Sequence, residues 1–372
     1  MHRRGYAMST LPFDAATVLG AGLMGRLVAL GLARAGCRVV VFDAAGPEAD
    51  GAAARVAAAM LAPLAESAVA PVSVVRMGHH ALARWPALLA SLDTPVFFQR
   101  EGTLVLWHRQ DAAEAARLAR MLERTGGQVP ALPAMQRVDA DRIAALEPAL
   151  GTRFAQGLFL PDEGQLDNRA LLDALRTALE TMPNVRMHWQ TPRSLDDFSP
   201  APNERVIDCR GLGARPQWPA LRGVRGEVIR VHAPEVAITR PVRLVHPRYP
   251  LYIAPKPDGV FVIGATEIES ADLSPASVRS TLELLSAAYA VHSGFAEARI
   301  LEIATQCRPT LPDNLPAIRQ PHPRVLQING LYRHGFLVAP AMLDVVMELL
   351  ATGHSALAET FDLPMEATAC TC

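Results

Sequence analysis

Residues 17–43 constrain this chain more than any other stretch. Thr17, Val18 and Leu19 form a β run that enters Gly20-Ala21-Gly22-Leu23-Met24-Gly25. A Leu- and Ala-rich helix is expected at 23–35, stopped by Gly36. A buried β run follows at 37–42 (CRVVVF) and ends at Asp43. The order is strand, glycine turn, helix, strand, acid. Each glycine has its own physical reason: Gly20 permits the tight turn, Gly22 lets backbone approach a pyrophosphate, and Gly25 lets the helix lie close to the strand. The helix N-terminus then offers free N–H groups and the positive end of its dipole. Asp43, 18 residues after Gly25, is placed to accept hydrogen bonds from ribose hydroxyls. These residues predict a dinucleotide site, without distinguishing nicotinamide from flavin.

The rest of the chain alternates between αβ and nearly pure β segments. A hairpin-like strand pair is expected at 97–107, helices at 111–125, 139–146, 168–181 and 277–291, and strands at 185–189, 206–209 and 325–328. A second glycine turn occupies Arg210-Gly211-Leu212-Gly213. The strands 251–254 and 260–263 flank a turn at Lys256-Pro257-Asp258-Gly259, and a last helix is expected from Pro340 to Ala351 with Gly353 as its stop. No low-complexity linker or repeat divides the chain. The fold class expected is α/β: a Rossmann-like dinucleotide-binding domain built from discontinuous segments (14–90, 151–218 and 305–363) with a β-rich α+β substrate domain (91–150 and 219–304).

Composition narrows the function. With 36 Lys+Arg against 37 Asp+Glu in 372 residues, no bulk positive charge recommends a nucleic-acid partner. Five Cys without a paired framework suit a reducing, cytoplasmic setting, and Cys370 and Cys372 have no further ligands nearby to make a metal site. No uninterrupted apolar run reaches about 18 residues, so no membrane span is expected. His2, Arg3 and Arg4 lack a following apolar region, and residues 1–7 read as a leader before a start at Met8. Every basic residue other than histidine is Arg except Lys256. Its place in the turn points it to solvent, so the oddity reads as compositional.

Four motifs in order carry a family resemblance. They are 54–66 (ARVAAAMLAPLAE), Tyr252-Ile253-Ala254-Pro255-Lys256 through Gly264-Ala265-Thr266-Glu267, Arg308 to Pro316 (RPTLPDNLP), and Tyr332 to Pro340 (YRHGFLVAP). Together they resemble the glycine oxidases of the D-amino-acid-oxidase-like flavoprotein family. Departures from the family pattern are Ala59 for Gly, Arg55 for Ser, Leu331 for His and His334 for Asn. The resemblance implies FAD, bound non-covalently as in glycine oxidases. A covalent link at Cys307, beside Arg308, is the alternative suggested by the related sarcosine oxidases. Expected cofactor residues are Gly20, Gly22, Leu23, Met24, Gly25, Asp43, Ala59, Met60, Val185, Gly211, Arg333, His334, Gly335 and Phe336. Ala57, Ala58 and Ala59 would pack closely on the cofactor, unless they form a plain Ala-rich helix.

The implied chemistry is oxidative deamination of glycine or a small amino acid or amine to an imine, with electrons passing to oxygen as hydrogen peroxide. The imine would supply thiamine thiazole synthesis. Arg308 matches the family's carboxylate-binding arginine, Tyr252 its pocket tyrosine and Arg333 a second pocket arginine. A planar guanidinium suits a carboxylate because it makes two charge-assisted bonds. The bland alternatives are a surface ion pair for Arg308, a core strand residue for Tyr252 and a structural contact for Arg333. Expected partners are therefore a small amino-acid or amine substrate and molecular oxygen, with homo-oligomerisation left open. Two other functions fit the same motifs: a D-amino-acid dehydrogenase using a non-oxygen acceptor, and a non-catalytic dinucleotide-binding protein.

Overall fold

The computed structural model describes residues 11–245 and 251–367. The leader at 1–7, Met8, Cys370 and Cys372 lie outside the described residues. The first strand, Ala15–Leu19, sits inside a seven-stranded sheet ordered Met365–Ala367, Ala317–His322, Val325–Asn329, Glu204–Asp208, Ala15–Leu19, Arg38–Phe42, Val185–His188. From Val325–Asn329 to Val185–His188 the neighbours run parallel. Such strands are covered on both faces and need apolar side chains throughout, as Val18, Leu19, Val39, Val41 and Ile207 supply. In register, Leu19 pairs with both Phe42 and Asp208. Gly20, Asp43 and Cys209 therefore leave the sheet side by side at its carboxyl edge, where open α/β sheets bind ligands.

The helix Leu23–Arg34 packs between this sheet and the helices Asn168–Thr181 and Gly335–Thr352. Val72–Leu89, an 18-residue helix that the sequence patterning does not single out, packs against Gly335–Thr352. Gly335–Thr352 starts at Gly335, not at the expected Pro340. Pro340 has no N–H for the Phe336 carbonyl. The indole Nε1 of Trp85, a fully buried side chain, donates to that carbonyl at 3.1 Å instead. The helical stretch 332–352 is long and apolar enough to cross a membrane, but two-thirds of its apolar window (67%) is buried inside the fold. It is a core helix here.

An eight-stranded sheet is ordered Arg299–Thr310, Arg222–His232, Val260–Gly264, Leu251–Pro255, Val242–Leu244, Thr103–Leu106, Gln156–Leu160, Gln136–Asp139. It thus takes in Gln156–Leu160 and the end of Arg299–Thr310 as well as strands from 91–150 and 219–304. One face buries Ile229, Ile253, Phe261 and Ile263 with Leu284 and Ala288 of the helix Val278–Val291. The hairpin-like pair expected at 97–107 does not form. Phe98–Gln99 pairs with Gly164–Leu166 in a third, three-stranded sheet, and Thr103–Leu106 pairs with Gln156–Leu160 and Val242–Leu244. Gly102 turns the chain between them at φ +83°, where it packs against the Phe159 ring. The 251–264 hairpin does form, and its register sets Tyr252 opposite Gly264. A Cβ at Gly264 would lie 2.6 Å from the Tyr252 hydroxyl, so glycine makes room for the ring.

Candidate active site

A cavity of about 750 Å³ opens at the carboxyl edge of the seven-stranded sheet, within the ~300–1,000 Å³ range of small-molecule sites. Gly20, Gly22, Leu23 and Met24 line it with Asp43. Gly20 has φ +89°, and a Cβ there would meet Arg210 Cα and the Cys209 carbonyl at 2.8 Å, so the two glycine turns pack backbone to backbone. Gly25 does not line the cavity. It serves the close approach of helix and strand, since a Cβ would lie 1.8 Å from the Gly20 carbonyl oxygen. Gly22 caps the helix without a side-chain hydrogen bond and no acidic residue occupies the first turn, which leaves its N–H groups and positive dipole end for an anion. The Asp43 carboxylate is oriented by the N–H groups of Ala21 and Ala45.

The segment 57–59 is not helical. The helix Ala53–Val56 is a single turn, after which Ala57 is extended, Ala59 adopts φ +52°, and both line the cavity with Ala58 and Met60. The positive φ explains why glycine suits the position of Ala59. Gly211 lines the cavity at φ +56°. Arg333, His334, Gly335 and Phe336 line it where the last long helix begins, again with no side-chain cap and no acid in the first turn.

Besides Gly25, Val185 is an expected cofactor residue that the structure does not bring to the cavity. It is buried in the strand Val185–His188, paired with Val39 inside the sheet. Pro192, Arg193 and Ser194, beyond the end of that strand, reach the cavity instead. A strand's first residue and the loop after it lie at opposite edges of a sheet, which a motif match alone does not reveal.

Tyr252, Arg308 and Arg333 all line the cavity, with different electrostatics. Arg333 Nε lies 2.9 Å from Glu66 Oε2, and its Nη1 lies 2.8 Å from Glu267 Oε2. Tyr332 donates to the other Glu267 oxygen at 2.6 Å. Glu66 also accepts from Arg243 Nη2 at 2.7 Å. Burial alone would raise the Glu66 carboxyl, but the Arg333 and Arg243 guanidiniums hold it well below the usual carboxylate range. The charge of Arg333 is thus already paired. Burial lowers the pKa of His334 despite Glu66 beside it, which leaves the imidazole neutral near pH 7.

Arg308 differs. Its Nη1 and Nη2 donate to the carbonyls of Arg225 and Thr266 at 3.3 and 3.2 Å. Among the described residues no carboxylate lies within ion-pair distance of it. Burial lowers its pKa from the ordinary arginine value, as expected for a cation without a counter-ion. Gly226 makes room for the fork: a Cβ there would lie 2.4 Å from Nη2. Burial raises the Tyr252 phenol, keeping it protonated as a donor.

Cys307 is buried, with Sγ 3.6 Å from the carbonyl oxygens of Ser270 and Asp272. Burial raises its thiol pKa, so little thiolate is available for covalent chemistry. No His, Cys, Asp or Glu group able to hold a metal occurs among the described residues.

Two residues depart from what the sequence suggests. Arg26 is fully buried in the first helix and donates to the carbonyls of Ala21, Leu172 and Pro47 at 2.7, 2.6 and 2.7 Å, tying the glycine turn to two other segments. Its one signal is an arginine inside an apolar helix run. Lys256 does not point to solvent. It is 7% exposed, its Nζ is turned inward onto carbonyl oxygens, and burial pushes its pKa down to about 7. The exposed tip of the turn is formed by Pro257 and Asp258, one and two residues further on.

The donor set fits a dinucleotide: two uncapped helix N-termini, an oriented carboxylate and glycine backbone at closest approach all line one cavity. Comparison with known proteins agrees. Residues 16–349 match the model of the DAO family, FAD dependent oxidoreductase. The chain is 43% identical over 335 residues to the putative thiamine biosynthesis oxidoreductase ThiO of Rhizobium etli, covering 90% of this chain and 96% of that one. It is 26% identical to a glycine oxidase of Pseudomonas aeruginosa, covering 90% and 94%. In structure it superposes on the glycine oxidase of Bacillus cereus with a TM-score of 0.77 at 19% identity, covering 94% of this chain and 97% of that one. The chain belongs to the DAO family of FAD-dependent oxidoreductases, and its glycine turn and oriented Asp43 fit that cofactor.

Proposed function

We propose that this protein oxidises glycine or a comparably small amino acid or amine to the imine, with oxygen as the final acceptor, and that the product feeds thiamine thiazole formation. The observation that carries the reading is Arg308, a half-buried guanidinium in the cavity with no carboxylate partner among the described residues. A charge partly withdrawn from water with no counter-ion is costly, and an anion that enters relieves that cost. The backbone carbonyls of Arg225 and Thr266 hold the fork in place while further N–H groups remain for a substrate carboxylate. Tyr252, protonated and beside Arg308, donates to the same carboxylate. The Glu66 and Glu267 pairs fix Arg333 as a rigid part of the wall, and neutral His334 adds no competing charge. FAD, when bound, supplies the two-electron acceptor for the hydride of the substrate α-carbon and passes the electrons to oxygen as hydrogen peroxide. Positioning then carries much of the rate, because a fixed carboxylate aims the α-carbon. The names of the Rhizobium and Pseudomonas relatives support the substrate class and the thiamine role.

The test is Arg308→Leu. A hydrogen bond to a charged group contributes about 1.5–3 kcal/mol, so capture of substrate should fall by one to two decades at least. Visible flavin absorbance and anaerobic bleaching by glycine, sarcosine and small D-amino acids are read on the same sample. Normal bleaching in a flavin-replete variant would refute the role of Arg308. Peroxide yield against dye reduction decides the acceptor.

A further inference from the structure

Lys256 is the chain's one lysine, and the mechanism above leaves it unused. Its Nζ donates to the carbonyl of Ala58 at 2.9 Å, to Gln165 Oε1 at 3.0 Å and to the carbonyl of Leu166 at 2.7 Å. Three acceptors match the three donors of an ammonium, whereas a neutral amine would leave one of them unpaired. Among the described residues no carboxylate forms an ion pair with it. Gln165 is itself held, donating to Gln99 Oε1 at 2.8 Å. The lysine therefore joins three segments: the 251–264 hairpin, the strand Gly164–Leu166 and the cavity wall at Ala58.

Ala58 and Met60 of that wall pack in an apolar cluster with Val228, Ala254 and Val262. Residues 57–59 are alanines with no side-chain bonds, and Ala59 is in the left-handed region at φ +52°, which L residues adopt rarely. Leu166 N donates to the Ala59 carbonyl at 3.1 Å, and Met60 pairs with Gln165. Ala58, the residue between the extended Ala57 and the strained Ala59, has its carbonyl held by Lys256.

We infer that Lys256 is a positioning residue for the cofactor: it clamps the backbone of 58–60 into the conformation that receives the flavin. The inference rests on FAD occupying this cavity and not on the identity of the substrate. Lys256→Met keeps the length and removes all three donors. On dilution of the holoenzyme, followed by the fluorescence of released FAD, its dissociation constant rises at least tenfold. The visible circular dichroism of the flavin still bound changes shape, because the wall against it has moved. Wild-type affinity overturns the inference. Weaker binding with an unchanged dichroism at FAD saturation also overturns it, since that is the behaviour of a lysine that merely stabilises the fold. If Lys256→Met does not accumulate, Lys256→Gln, which keeps two donors, is read in the same way with at least a threefold rise. Wild-type affinity and dichroism in that variant overturn the clamp.

Discussion

Gly25→Ala tests the glycine turn where its geometry is least forgiving. The added Cβ would lie 1.8 Å from the Gly20 carbonyl oxygen and 2.9 Å from the Gly20 carbonyl carbon. Both are backbone atoms, so no rotamer change relieves the clash. Restoring an ordinary contact requires the helix Leu23–Arg34 to move away from the strand end by roughly 1.5 Å. Overpacking of this kind costs about 1–3 kcal/mol, and the upper value applies where no soft neighbour can yield. Because the displaced atoms are the first-turn N–H groups, most of the loss falls on cofactor binding: about 3 kcal/mol is about a hundredfold in FAD affinity. The assay is FAD release on dilution of the holoenzyme, with Gly127→Ala as control, since nothing lies within 4 Å of a Cβ there. A Gly25→Ala protein that holds FAD within threefold of wild type would refute the reasoning.

Two further outcomes are expected. Glu66→Gln leaves Arg333 and Arg243 without their shared carboxylate, and breaking a buried ion pair costs about 3–5 kcal/mol. The folded Glu66 pKa is depressed, so its contribution is complete above the unfolded value near 4.5 and is lost as pH falls through the lower folded value. The difference in unfolding free energy between wild type and variant should therefore shrink on acidification below pH 4.5, and a gap independent of pH would contradict the assignment. Trp85→Phe strands the Phe336 carbonyl at a cost of about 1–3 kcal/mol in denaturant unfolding. In a Pro340→Ala background, where a helical N–H returns, the same change should cost about 1 kcal/mol less, and equal costs in the two backgrounds would show the two residues to be independent.

What is legible in the sequence is what local chemistry dictates. The glycine turn, Asp43, the 251–264 hairpin and the capped helix Asn168–Thr181 all follow from spacing and residue type. What stays hidden depends on partners far along the chain. Phe98–Gln99 and Thr103–Leu106 look like a hairpin, but their true partners lie at 156–166 and 242–244. Pro340 reads as a helix start because a lone sequence cannot show Trp85 donating to the carbonyl that the proline leaves free. The divergent fates of Arg308 and Arg333 likewise hang on Glu66 and Glu267, two carboxylates 201 residues apart. Lys256 reads as solvent-facing for the same reason: a turn signal sets the backbone, and only the fold decides where a long side chain at its border goes.

The cavity wall draws on residues within 20–24, 42–66, 192–213, 226–228, 252–273 and 306–337, segments from both ends of the chain and its middle. Whatever fills it is a non-covalent cross-link between the first strand and the last long helix. Ligand at 100 times its dissociation constant adds about 2.7 kcal/mol to the folded state by mass action. Here that increment is spread over segments from both ends of the chain, so cofactor loading and resistance to cellular proteases become one quantity. A cell that runs short of flavin would lose this enzyme by turnover as well as by inactivity.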